Sequence, residues 1–254
     1  MMVGSFKFNN IESESFKLVC KSVKRPLLPS VKSNRVEMLG KSGVFDFSEH
    51  EYGLRKVTMR IQYIGTDYTE LRTRARQIAA WLSTATWAKL ILNDEPDKHY
   101  LAKVTDEIDL ENLWESGKAD ISFDCQPFAL SNTEVSSIFS ATGTVNQVIN
   151  NPGTSLTNFR SPQGSKFSIK AVGSWTKIAF AMNGNTVTYN EAGSGELILD
   201  NVNMTATLGG VNKFGVLTGD VDSFLKMLPG ANTLTVSGTS INVTVTVTLI
   251  PLWI

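Results

Sequence analysis

The chain holds 254 residues, with 24 Lys plus Arg against 24 Asp plus Glu, two His and two Cys. Zero formal net charge leaves no overall electrostatic footprint for gripping nucleic acid or an anionic membrane, and two histidines are too few for most metal centres and acid–base triads. The first residues, Met1-Met2-Val3-Gly4-Ser5-Phe6-Lys7-Phe8, lack the apolar core of a signal peptide, and no run approaches the ~18–20 apolar residues of a membrane span, so the expectation is assembly in the cytoplasm without membrane insertion.

In chain order, strand signals fall at residues 5–9, 16–20, 44–47, 57–64, 89–92, 100–105 and 119–126. The last is the clearest, with Ala119, Ile121, Phe123 and Cys125 alternating against polar neighbours at period two. Cys20 and Cys125 lie inside strand patterns and read as buried free thiols. Between residues 23 and 43 both periods break, and Lys24-Arg25-Pro26-Leu27-Leu28-Pro29 sets two leucines between two prolines. An exposed arm carrying Leu27 and Leu28 would suit a neighbouring copy; a loop packed back on its own domain is the equal alternative.

One helix is predicted over residues 67–82, with Asp67 placed to cap, Glu70 at capping-box spacing, and Leu71, Ala75, Ile78 and Leu82 on one face. Arg72 and Arg76 fall on its polar side, where solvation or ion pairs between subunits are favoured over a phosphate site. Turn chemistry at residues 93–98 joins two strands as a hairpin. The acidic residues Asp106, Glu107, Asp109, Glu111 and Glu115 lack the alternation of a calcium loop and read as a solvated connection, available to a subunit interface.

Residues 1–132 contain 18 basic and 18 acidic side chains, whereas residues 133–254 contain 6 of each, and this shift marks a domain boundary near residue 132. The second half is all β, with strands at residues 166–172, 177–182, 186–190, 196–200 and 204–208 between Gly- and Asn-rich turns, the pattern of a β-sandwich. Asn183-Gly184 signals a two-residue hairpin. The alternation over residues 234–249, interrupted at Ser237-Gly238, predicts a second hairpin with a greasy and a hydroxyl-rich face. Trp175 and Tyr189 have the parts for stacking on a sugar, and could equally be core.

Chemistry is hard to place on this chain. His50-Glu51 has no second histidine at helical spacing, the cysteines have no close-spaced partners, and neither a nucleophile elbow nor a phosphate loop occurs. No catalytic, cofactor-binding or metal-binding residue is assigned.

The order of elements resembles the distal tail proteins of long-tailed, non-contractile bacteriophages. Along the chain the matching stretches are Phe6-Lys7-Phe8-Asn9-Asn10, Gly40-Lys41-Ser42-Gly43-Val44-Phe45-Asp46-Phe47, Tyr52-Gly53-Leu54-Arg55-Lys56-Val57, Ile78-Ala79-Ala80-Trp81-Leu82, residues 90–100, Phe123-Asp124-Cys125-Gln126-Pro127-Phe128 and Leu228-Pro229-Gly230-Ala231-Asn232-Thr233-Leu234. The resemblance implies a mainly β protein: a β-rich ring-forming domain with one α-helix, then a galectin-like or carbohydrate-module-like β-sandwich at the periphery. It implies a structural hub of the virion, a hexameric and possibly stacked ring at the distal end of the tail. Its implied partners are further copies of itself, the tail tube protein, the end of the tape-measure protein and the tail-tip proteins that contact the host. Balanced charge in the first half suits a channel that passes DNA without sequence-specific binding. The competing readings are a carbohydrate-binding adsorption protein using Trp175 and Tyr189, and a glycoside hydrolase using acidic residues.

Overall fold

The computed structural model describes residues 4–46, 51–65, 68–105 and 118–254. Packing divides the chain into two units, residues 1–129 with Ile254 and residues 130–253.

In the first unit the strands are β1 (Phe6–Phe8), β2 (Ile11–Glu12), β3 (Leu18–Lys24), β4 (Arg35–Glu37), β5 (Val44–Asp46), β6 (Arg55–Tyr63), β7 (Ala88–Leu92), β8 (Lys98–Val104) and β9 (Lys118–Cys125), with helix α1 (Tyr68–Leu82) between β6 and β7. β4 and β5 pair only with each other; the rest run in the order β2-β1-β7-β8-β9-β6-β3. The sheet curls back on itself, because the Cys20 N–H on β3 donates to the Gly4 carbonyl just before β1 at 2.8 Å. Strict alternation shows best on β6, where Arg55, Val57, Met59, Ile61 and Tyr63 are buried while Lys56 and Arg60 are exposed. The strand expected from residue 16 begins at Leu18 instead, since Ser13–Phe16 forms a 3₁₀ turn that ends with Lys17 at φ 57°.

Helix α1 lays Leu71, Ile78, Trp81 and Leu82 into this core. Trp81 stacks on Phe16 at 4.7 Å and on Phe6 at 5.7 Å, and its indole N–H donates to the Phe8 carbonyl at 2.8 Å. Asp67, the expected cap, lies outside the described residues. The capping-box contact expected between Glu70 and Asp67 lies outside the described residues too; Lys17 Nζ stands 2.7 and 2.9 Å from the two Glu70 oxygens and Arg74 Nε 2.9 Å from one.

The second unit begins within β10 (Ala129–Ser131), whose Ser131 N–H donates to the Pro251 carbonyl. Its further strands are β11 (Val135–Ala141), β12 (Val145–Asn151), β13 (Lys166–Trp175), β14 (Lys177–Met182), β15 (Asn185–Tyr189), β16 (Gly193–Asp200), β17 (Thr205–Leu208), β18 (Val211–Asn212), β19 (Leu217–Gly219), β20 (Gly230–Thr239), β21 (Asn242–Ile250) and β22 (Leu252–Trp253). All but β22, which pairs with β10, form a β-sandwich of a six-stranded sheet, β11-β21-β13-β16-β17-β18, and a five-stranded sheet, β12-β20-β14-β15-β19. Inward residues such as Phe167, Phe180, Leu234, Val236, Val245 and Leu249 fill one core. The Asn183-Gly184 hairpin forms as expected between β14 and β15, with both residues at positive φ.

The hairpin expected over residues 234–249 is corrected. Both strands form and both alternate, but β20 pairs with β12 and β14 while β21 pairs with β11 and β13, in opposite sheets. The chain turns a corner at Ser240-Ile241 and does not fold back. Two glycines allow paired strands to approach closely beside this corner: a Cβ on Gly238, at φ +150°, would stand 2.0 Å from the Lys177 carbonyl oxygen of β14, and one on Gly173, at φ +148°, would stand 2.1 Å from that of Asn242 on β21.

Candidate assembly surface

The proline-containing segment leaves β3 under tight control. Arg25 forms ion pairs with Glu95 and, at 3.3 Å, with Asp94 in the β7–β8 turn. The next carbonyl, of Pro26, accepts from Arg55 Nη1 at 3.0 Å, while Arg55 Nε donates to the Pro127 carbonyl at 3.2 Å. Arg55 is buried, and its guanidinium lies 5.7 Å from the centre of the Tyr100 ring. Beyond the prolines, backbone bonds from Gly53 N to Ser30 O at 2.7 Å and from Lys32 N to Glu51 O at 2.8 Å hold the segment before it runs into the β4–β5 hairpin.

Between these fixed points the segment presents apolar side chains to solvent. Leu27 is 87% exposed, Leu28 is exposed, and so are Met38 and the fully exposed Leu39 near the hairpin turn. Of the two alternatives for Leu27 and Leu28, the structure has the exposed arm. Burying such side chains against another surface contributes about 1.5–3 kcal/mol each, and a lone subunit gains none of it.

Arg72 and Arg76 are exposed on α1, whereas Arg74 is turned back to Glu70 and to the Ser15 carbonyl at 3.1 Å. Lys17 and then Arg74 hold the Glu70 carboxyl down at about 2. Asp106, Glu107 and Asp109 lie outside the described residues, as do Glu111, Glu115 and His50. Sequence reasoning missed Arg25, Arg55, Met38 and Leu39. A signal for Arg55 existed, since it falls on the inward parity of β6 with Val57 and Met59.

The outward face of the sheet carries cross-strand pairs of opposite charge. Arg60 grips Asp120 with two bonds of 2.8 and 3.1 Å, and Asp124 stands opposite both Lys56 and Lys103. Burial pushes the Cys20 thiol up to about 11 and the Cys125 thiol up to about 12, so neither is an activated nucleophile.

The sugar-stacking reading of Trp175 and Tyr189 is corrected. They are 3% and 1% exposed and meet edge to face at 6.0 Å inside the sandwich, so neither offers a ring face to a ligand.

The first unit is a curled sheet capped by one helix, and residues 10–125 match the family model of the phage tail protein RIFT-related domain. Over those residues the first unit is similar to the phage tail proteins that carry this domain. The fold of the chain is that of a distal tail protein: over 97% of this chain and 98% of the other, it superposes on the crystal structure of the Dit protein of phage SPP1 with a TM-score of 0.73 at 15% sequence identity. That protein is described as a paradigm of the hub adsorption apparatus in phages infecting Gram-positive hosts. No curated protein matches the sequence.

Proposed function

We propose that the chain is a ring-forming hub at the distal end of a phage tail, six copies closing through residues 1–132 and residues 133–254 projecting as a peripheral, galectin-like β-sandwich. The ring joins the tail tube and the end of the tape-measure protein to the tail-tip proteins that contact the host, and leaves a channel for DNA. The observation that carries this reading is the arm, whose roots are pinned by Arg25 and Arg55 while Leu27, Leu28, Met38 and Leu39 stand bare. A segment anchored at its base and apolar at its tip is built to be covered by a neighbour. Arg72 and Arg76, exposed on α1, and the acidic residues Asp106, Glu107 and Asp109 supply further charged contacts between copies. The 18-to-18 charge balance of the first half, with Arg60 engaged by Asp120, favours passage of DNA over retention.

Native mass spectrometry and negative-stain images of the full chain at micromolar concentration test this. Six-fold rings are expected from the unaltered chain and monomers from a Leu27→Glu/Leu28→Glu variant whose circular dichroism is unchanged. A persistent monomer of the unaltered chain overturns the reading.

A further inference from the structure

The two sides of the sandwich end differently. On one side the outermost strands are β18 and β19, of two and three residues, the short edges by which β-proteins commonly avoid pairing with other chains. On the other side they are β11 and β12, of seven residues each, hydrogen-bonded along their whole length to β21 and β20 and without a strand partner on their outer side among the described residues. Two of the usual protections are missing, since residues 135–151 contain no charge and no proline, and the side-chain bond to their backbone carbonyls is from Gln147 Nε2 to Val148 at 3.2 Å. The outward residue at the middle of each strand is β-branched and bare, Ile138 at 68% and Val148 at 59% exposed. A row of open backbone donors and acceptors with an apolar centre is a template for another strand.

The side-chain order says which strand fits. Outward along β11 stand Ser136, Ile138 and Ser140, and outward along β12 stand Asn146, Val148 and Asn150. Each series reads the same in both directions. An antiparallel copy of β11 centred on Ile138 therefore sets Ile138 opposite Ile138 and Ser136 opposite Ser140, and an antiparallel copy of β12 centred on Val148 matches valine with valine and Asn146 with Asn150. Ile138 and Val148 both stand five residues from Gly143 in the connection between the strands, so one two-fold axis can serve both sheets.

We propose that the second unit pairs with the second unit of another copy of this chain, edge to edge, through β11 and β12 about a two-fold axis near Ile138 and Val148. The contact continues both sheets across the axis and is self-complementary, unlike the head-to-tail contacts of a ring, so it joins subunits of two separate assemblies. It is independent of the arm.

The test uses the full chain carrying Leu27→Glu and Leu28→Glu, which removes the arm contact and so separates failure of this proposal from failure of the ring. Cys20 and Cys125 are buried, leaving an introduced thiol as the accessible one. Ile138→Cys and Val148→Cys are each oxidised mildly at micromolar concentration beside Val211→Cys, an exposed position on the opposite edge. Disulfide-linked dimers are expected at least tenfold faster from the first two than from the third. Ile138→Lys, with its circular dichroism unchanged, is expected to abolish dimers in sedimentation velocity. Equal oxidation rates at the three positions, or dimers that survive Ile138→Lys, overturn the proposal.

Discussion

The two units solve the same problem of sheet burial with different surfaces. The first spends its charged residues on ion pairs, Lys17 with Glu70 and Arg74, Arg25 with Asp94 and Glu95, Arg60 with Asp120, and still leaves leucines bare on its arm. The second carries a third as many charges, packs Phe167, Trp175, Phe180, Tyr189 and Phe224 inside, and fastens its long loops with buried amides. Asn232 accepts from Leu228 N–H at 2.8 Å and from Asn183 at 2.6 Å while donating to the Leu228 and Gly230 carbonyls, and Asn201 accepts from Leu225 N–H at 3.2 Å. Uncharged amides hold irregular backbone without desolvating an ion, whereas charged pairs at a surface can be traded for partners on another chain. The difference separates a unit unfinished on its own, at the arm, from one whose core is closed and whose open feature is an edge.

Breaking each unit at its own weak point sharpens this contrast. The largest effect is expected from Gly238→Val, because a side chain there must displace the Lys177 carbonyl from 2.0 Å and adopt a φ of +150°. The corner between the sheets is lost and the second unit fails to fold, read as loss of its cooperative thermal transition. Next comes Trp81→Ala, which removes the ring packed by Phe6, Phe8 and Phe16 and leaves the Phe8 carbonyl without its donor. About 3–5 kcal/mol of stability is expected to go from the first unit in denaturant unfolding. Asn232→Ala follows, stranding the four partly buried partner groups of one buried amide at a cost of about 1–3 kcal/mol, measured as a lower unfolding midpoint with unchanged slope.

How much of this was legible in the sequence follows the range of the interactions. Alternation reported β6, β9, β20 and β21 correctly because the pleat is local, and the 3.6-residue period of Leu71, Ile78 and Leu82 reported α1 for the same reason. Strand partners are not local. Ser237-Gly238 has the composition of a hairpin turn, yet here glycine lets β20 lie tight against its own-sheet neighbour β14 before the chain passes to the other sheet, and only the Lys177 carbonyl beside it distinguishes the cases. β11 and β12 escaped detection because their outward faces mix Ser and Asn with Ile138 and Val148, blurring the alternation. At the arm, Pro26 and Pro29 made Leu27 and Leu28 conspicuous. Met38 and Leu39 carried no such punctuation, and the buried Arg55 was hidden because its partners are carbonyls 29 and 72 residues away.

The smallest effect concerns pH and separates the units by their charge. Lys17 and Arg74 hold the Glu70 carboxyl at about 2 in the folded chain, below its ordinary value of 4.5. A lowered folded value means that the unfolded chain takes up the proton first. The stabilisation by Glu70 is therefore fully present above pH 4.5, shrinks as the pH falls below that, and is gone once the pH passes below about 2. Glu70→Gln removes the charge, so the stability gap between wild type and variant should be constant from pH 7 to pH 5 and then narrow steadily towards pH 2. Salt should shrink it at neutral pH as well, since the pair is partly exposed. Urea unfolding at a series of pH values, followed by the near-ultraviolet signal of the tryptophans, measures the gap. A gap that widens on acidification would mean that Lys17 and Arg74 do not lower the Glu70 carboxyl, and that the tie between α1 and the turn before β3 rests on packing alone.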